Sequence, residues 1–321
     1  MIDVQRLGML REVARQGSFS RAAAALLLTP SAVSQQIAAL ERTLGTPVVH
    51  RSTRGVALTE PGRMLVEAAE TISAELRHAQ ERIDRLTTGR TTMTIATFTS
   101  GGRHLLPAAL ARFTAEHPDV ELTVLEREPE DSLPMVREGQ ADIALAYHFD
   151  KPLPIRPGER SRLTWTPLMD DPMSIVMPAG HPLAGRSSVD LAEVATERWV
   201  LGCLKTGDFL QRYAELAGFE LRVSAATTDY FFAQTMVAAG VGIALIPQVA
   251  LQPSAELAVL PVEPPRPARY IGMAVTRRRR TQPHVADLTA ALLAAAGVRA
   301  TGPALAREAP GMDGGSGRGR E

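Results

Sequence analysis

Apolar residues in the first sixty or so positions recur at helical spacing. Val4, Leu7, Leu10 and Val13 fall on one face, Gly17 ends that run, and Ser18 is placed to cap a second helix over Ser18 to Leu28. Thr29-Pro30 supplies an N-cap followed by proline at the first helical position, which predicts a third helix to Leu44 with Gly45 beyond it. Val48, Val49, Val56 and Leu58 flank a polar Arg51 to Gly55 turn, the pattern of a small two-stranded wing. A longer helix opens at Thr59-Glu60-Pro61. Its apolar positions Leu65, Ala69, Ile72, Leu76, Ala79, Ile83 and Leu86 alternate spacings of four and three, a heptad seam. A helix of roughly 33 Å, at 1.5 Å per residue, overhangs so small a domain, so pairing with a second copy is expected, and packing against its own domain is the alternative.

Beyond Thr87-Thr88-Gly89-Arg90 the pattern changes. Short β-rich runs at Met93 to Phe98, Val120 to Glu126, Asp142 to Tyr147, Met173 to Met177, Gly242 to Ile246 and Tyr270 to Val275 alternate with helical patterns, so the fold class is α/β. Pro-rich stretches at Lys151 to Pro157 and Pro261 to Pro267 divide this region into two lobes with a ligand crevice between them. The expected organisation is a winged helix-turn-helix head over 1–60, a linker and dimerisation helix over 61–88, and a two-lobed α/β domain over 91–300. Its first lobe takes 91–162 and 267–300, its second 163–266. The tail, 301–321, is rich in Gly, Pro and charge and is expected to be disordered.

A length of 321 residues fits two or three units at roughly 100 to 200 residues each. There is no run of 18 apolar residues, and Met1 to Arg11 lacks the pattern of a secretory signal, so a cytoplasmic protein without membrane contact is expected. Cys203 is the single cysteine, which rules out an intrachain disulfide, and the seven histidines show no metal-ligand spacing; neither metal nor resident cofactor is expected. The formal charge is zero, but the first 65 residues carry eight Arg against Asp3, Glu12, Glu41 and Glu60. A basic end on an otherwise acidic chain suits a polyanion.

The third predicted helix carries the most chemistry. Val33, Ile37, Leu40 and Leu44 form its inner stripe, while Ser31, Gln35, Ala38 and Arg42 lie opposite with Ser34 beside them. Such a face fits the major groove, where Gln pairs with adenine and Ser reaches base edges or phosphates; a solvated face is the plain alternative. Arg51 and Arg54 in the wing turn suit phosphates or the minor groove. Ser18, Ser20, Arg21, Thr29 and Pro30, at helix starts, suit backbone contact, and Ser18 and Thr29 also read simply as caps.

The run Phe19-Ser20-Arg21-Ala22-Ala23, then Pro30-Ser31-Ala32-Val33-Ser34-Gln35-Gln36-Ile37, Leu40-Glu41, Leu44-Gly45, Arg51 and Leu58-Thr59-Glu60-Pro61-Gly62 resembles the signature of the LysR-type transcriptional regulators. The likeness continues in Glu138-Gly139 with Asp142-Ile143-Ala144 and in Ala238 to Pro247, and covers roughly residues 1 to 297. Val48-Val49 departs from the usual Leu-Phe, and Pro61 from the more common alanine. The resemblance implies a winged helix-turn-helix, a dimerising linker helix and an effector domain similar to type 2 periplasmic binding proteins, commonly tetrameric. Implied partners are double-stranded DNA, a second copy, a small-molecule co-inducer and RNA polymerase.

In that family the effector lies near the end of the effector domain's first strand, here Thr97 to Arg103. Thr99 and Ser100 are the first candidates, with Gly101-Gly102 letting the backbone approach a ligand. Tyr147, His148, Gly202, Cys203 and Thr228 are further candidates, and each reads equally as buried structure. No G-x-S-x-G, H-E-x-x-H or phosphate-binding glycine loop occurs, so an enzyme is not expected. The competing reading is a solute-binding protein with a helical protein adaptor, which would ignore DNA.

Overall fold

A computed structural model describes residues 2–52, 55–149, 163–203 and 205–297; Arg54, the expected tail and the whole Pro-rich 151–157 stretch lie outside these. The head is built from α1 (Val4–Gln16), α2 (Phe19–Ala25) and α3 (Pro30–Leu44) with a hairpin of β1 (Val49–Ser52) and β2 (Gly55–Leu58). Asp3, Ser18 and Thr29 cap the three helices, and Gly17 and Gly45 end α1 and α3 in the left-handed conformation. Leu10, Val13, Ala22, Val33, Ile37, Leu40 and Val48 form one buried core. The second helix stops at Ala25, short of the expected Leu28. Leu27 there adopts φ 56° and the Leu28 N–H returns to the Ala23 carbonyl, so the chain bends by 107° into α3. Glu41 in α3 fastens the wing, its carboxylate accepting from the Val48 N–H at 2.9 Å.

The linker helix α4 (Glu60–Thr88) is capped by Thr59 and carries Pro61 in its first turn, where proline is tolerated. It leads into β3 (Thr91–Thr97), α5 (Thr99–Glu116), β4 (Val120–Glu126), α6 (Pro129–Arg137) and β5 (Ile143–Phe149). β3 pairs in parallel with both β4 and β5. After β6 (Leu163–Pro178) come β7 (Arg198–Leu201), α7 (Thr206–Leu216), β8 (Arg222–Ala226), α8 (Tyr230–Ala238), β9 (Ala244–Pro247), β10 (Leu257–Pro261), β11 (Ala268–Thr276) and α9 (Pro283–Ala295).

Sixteen-residue β6 belongs to both lobes. From Leu163 to Pro172 it pairs with β11 in the first lobe's sheet, and from Met173 to Pro178 with β9 and β10 in the second. The division between lobes thus falls near Pro172, ten residues later than the expected boundary at 162. Each lobe has its own core: Ile95, Phe98, Leu105, Ile143 and Leu288 in the first, Ile175, Trp199, Phe209 and Leu245 in the second. No single helix among the described residues is long and apolar enough to cross a membrane.

Candidate functional site

Two surfaces gather the chemistry. On the head, Ser31, Gln35 and Arg42 are exposed along the outer face of α3, with Ser34 half-buried beside them, while the inner stripe is in the core. Ser20, Arg21, Thr29 and Pro30 are exposed at the neighbouring helix starts. Ser18 and Thr29 are engaged as caps, and Thr29 Oγ1 also meets Ser31 Oγ at 3.0 Å. Arg51 reaches back from the wing: its guanidinium lies 4.4 Å over the Phe19 ring and donates to Ser34 Oγ at 3.2 Å. One polar surface thus carries the wing, the outer face of α3 and the start of α2.

The second surface is a nearly closed cleft between the lobes, with a cavity of about 20 Å³, lined by Phe98, Thr99, Ser100, Glu128, Tyr147, Cys203, Thr228, Asp229, Tyr230, Phe231 and Arg269. Strand ends and helix starts converge here because β3 and β5 are parallel and their carboxyl ends open on the same side. Thr99, Ser100, Tyr147, Cys203 and Thr228 from the sequence reading all line it. His148 does not. Alternation along β5 puts it on the opposite face from Tyr147, stacked on Tyr270 at 5.2 Å. Gly202 acts from behind the wall, since a Cβ there would meet the Tyr230 ring at 2.4 Å. Gly101 and Gly102 likewise make room for the Phe98 ring and the Thr97 side chain, which corrects the expectation that they admit a ligand.

Arg269 is the residue that sequence reasoning missed. It is 1% exposed and pairs with the fully buried Asp171, Nε to Oδ2 at 2.6 Å, and its Nη2 donates to Ser100 Oγ at 2.7 Å. The Ser100 hydroxyl therefore holds the arginine. The rings of Phe98, Tyr147 and Tyr230 stand within 5.5 Å of the guanidinium carbon. A signal did exist: Arg269, Ile271, Met273 and Val275 form the inward row of β11, and a charge on an inward row calls for a buried partner.

Lys205 of the second lobe pairs with Glu128, at 3.3 Å, and with Glu130 of the first, and Glu128 accepts from the Tyr147 hydroxyl at 2.9 Å. Arg103 of α5 lies 4.1 Å over Phe231 of α8. These contacts bridge the lobes across the mouth. Burial, then the charge of Glu128, pushes the Tyr147 hydroxyl well above its ordinary range; burial does the same to Tyr230 against the pull of Arg269. Both phenols are hydrogen-bond donors throughout the neutral range. Tyr230 lies beside Thr206, yet its buried hydroxyl has no partner of acceptable geometry. α5 begins at the cleft without a side-chain cap.

Residues 4–63 match the family of bacterial regulatory helix-turn-helix proteins, lysR family, and residues 87–297 match the LysR substrate binding domain. The probable hydrogen peroxide-inducible genes activator of Mycobacterium avium is 34% identical, over 81% of this chain and 84% of that protein. The transcriptional dual regulator GltC of Bacillus subtilis is 28% identical, over 89% and 95%. Among solved structures, a full-length OxyR variant from Pseudomonas aeruginosa shares the fold with a TM-score of 0.55 at 21% identity, covering 91% of this chain and 95% of that one. Full-length BenM does so with 0.55 at 20%, covering 94% and 100%.

Proposed function

The chain belongs to the LysR family of DNA-binding transcription regulators, and from that premise we propose that its head reads an operator through α3 while the interlobe cleft takes a small anionic effector. The head is residues 1–60, the linker helix 61–88 and the effector domain 91–300. Gln35 and Ser31 read bases, with Ser34 and Arg42 beside them; Ser18, Ser20, Arg21, Thr29, Pro30 and Arg51 hold the phosphate backbone, as does Arg54, which lies outside the described residues. The protein works in the cytoplasm, catalyses no reaction, and acts on RNA polymerase.

One observation carries the effector class: the unpartnered Tyr230 hydroxyl, the Arg269 guanidinium and the uncapped start of α5 share one wall. A buried donor without a partner costs about 1–3 kcal/mol, which an acceptor on a ligand relieves, and helix starts favour anions. Thr228 supplies a flanking hydroxyl, whereas that of Thr99 donates to Glu126 Oε1 at 2.7 Å and serves a ligand only by giving up that bond. Thermal-shift titration with small mono- and dicarboxylates tests this. Tyr230→Phe keeps the ring and removes the donor, and should weaken the best carboxylate about tenfold, the roughly 1.4 kcal/mol of one hydrogen bond. Unchanged affinity rejects the assignment.

A second reading is favoured by Cys203 on the same wall and by the relative named as a probable activator of hydrogen peroxide-inducible genes. Hydrogen peroxide would transfer one oxygen to the Cys203 thiolate, giving a sulfenic acid and hydroxide. Peroxide-dependent change in DNA affinity that Cys203→Ser abolishes would select it; a response that survives Cys203→Ser excludes it.

A further inference from the structure

A second concavity opens at the opposite end of β5 and β11 from the cleft. Ala74, Glu75 and His78 of α4 form one wall, Arg137 and Gly139 at the end of α6 another, and Thr276 to Arg279 at and after the end of β11 the third, around about 250 Å³. The run Arg277-Arg278-Arg279-Arg280 at its rim has no part in either surface described above.

The four guanidinium groups on this groove are not equivalent. Arg279 is buried and already holds Glu81 through two contacts of 2.6 and 2.7 Å, and Asp142 as well. Arg278 is paired with Glu75. Arg137 and Arg277, by contrast, have no carboxylate within 4.0 Å among the described residues. Arg137 acts only at longer range on Glu70, whose carboxyl burial raises. Burial, then Arg278 and Arg279, holds the His78 imidazole below its ordinary range against the opposing pull of Glu81 and Glu75. At neutral pH His78 is therefore uncharged and able to share a hydrogen bond.

We propose that this groove is a second ligand site, taking a small phosphate ester or comparable compact dianion between Arg137 and Arg277, with His78 and Thr276 as hydrogen-bonding neighbours. Guanidinium forks match phosphate oxygens in pairs, and two that lack internal partners give up no existing ion pair on binding. Two walls belong to the first lobe and one to the linker helix, so the ligand ties the effector domain to the helix that carries the head. Arg269 and Thr276 are seven residues apart on β11, about 23 Å at roughly 3.3 Å per residue, so the site is separate from the cleft.

Isothermal titration of the full chain with pyrophosphate, at ionic strength held constant with sodium chloride, is the test. The expected result is one saturable site per chain. Its affinity should fall at least tenfold in Arg137→Gln with Arg277→Gln, and stay unchanged in Tyr230→Phe of the cleft. Thermal melts check that the double variant folds, and if it melts early, Arg277→Gln alone, at an exposed position, carries the comparison. Heat that does not saturate, or saturable binding that the variants leave intact, means an adventitious ion only and overturns the proposal. Displacement of pyrophosphate by random-sequence duplex would assign the arginines to the DNA-contacting surface and overturns it equally.

Discussion

Arg269 shows at the residue scale how one buried charge organises a site. The Arg269–Asp171 pair is fully desolvated where β6 passes between lobes, and the same arginine fixes Ser100 at the cleft. Removing one partner of such a pair leaves a bare buried charge, so Arg269→Met should lower the unfolding free energy by about 3–5 kcal/mol. Adding Asp171→Leu should recover much of the loss. Urea denaturation reads both, and a midpoint unmoved by Arg269→Met contradicts the role. The Lys205 contacts are different in kind. Lysine and both carboxylates are more than a third exposed, so they set lobe geometry and contribute at most about 1 kcal/mol. The sequence could nominate Thr99, Tyr147, Cys203 and Thr228 from their places at element ends. It could flag Arg269 as a charge on an inward row but not name its partners, because Asp171 and Ser100 stand 98 and 169 residues away.

The linker helix is the element whose pattern was easiest to read and hardest to interpret. Its heptad seam is real, but the structure divides it. Leu65 packs on the core of the head and Ala69 is buried in the same chain, so these two are corrected from dimer contacts to intrachain ones. Ile72 is half-buried, while Leu76, Ala79, Ile83 and Leu86 remain exposed. Periodicity records which face is apolar and not which surface covers it: packing within the chain accounts for the first turns and leaves the later ones exposed. The exposed stretch is where a second copy should pack. Leu76→Glu with Ile83→Glu should therefore convert a dimer to monomer in sedimentation and remove any dependence of the melting temperature on protein concentration, whereas Leu65→Ala should lower the melting temperature without changing association. A double variant that still sediments as a dimer rejects this half of the seam.

At the scale of the molecule, the α/β class, the winged head and the alternation of strands and helices were legible from spacing alone. The course of β6 was not. Pro167 and Pro172 break the pattern of a continuous strand, since proline lacks the N–H that a ladder needs. The fold accommodates them where pairing is already irregular: Pro167 faces the bulge at Ile271/Gly272, and Pro172 sits where β6 changes partners. β7, β8 and β10 were missed: β8 is exposed at four of its five positions and β7 and β10 bury only one or two residues, so none shows the continuous apolar run that marks β9. The result is a basic head on a linker helix, joined to a two-lobed domain whose cleft and groove sit at opposite ends of β11.

The claim on which all else depends is that the outer face of α3 reads DNA, and fluorescence anisotropy tests it on two duplexes, one selected by the protein from a random pool and one unselected. The parent chain should prefer the selected duplex by about a thousandfold or more, with affinity for both falling steeply as salt rises. Gln35→Ala should weaken the selected duplex by about 1–3 kcal/mol and leave the unselected one nearly unchanged. Binding to neither duplex, or a preference that Gln35→Ala leaves intact, would contradict the account.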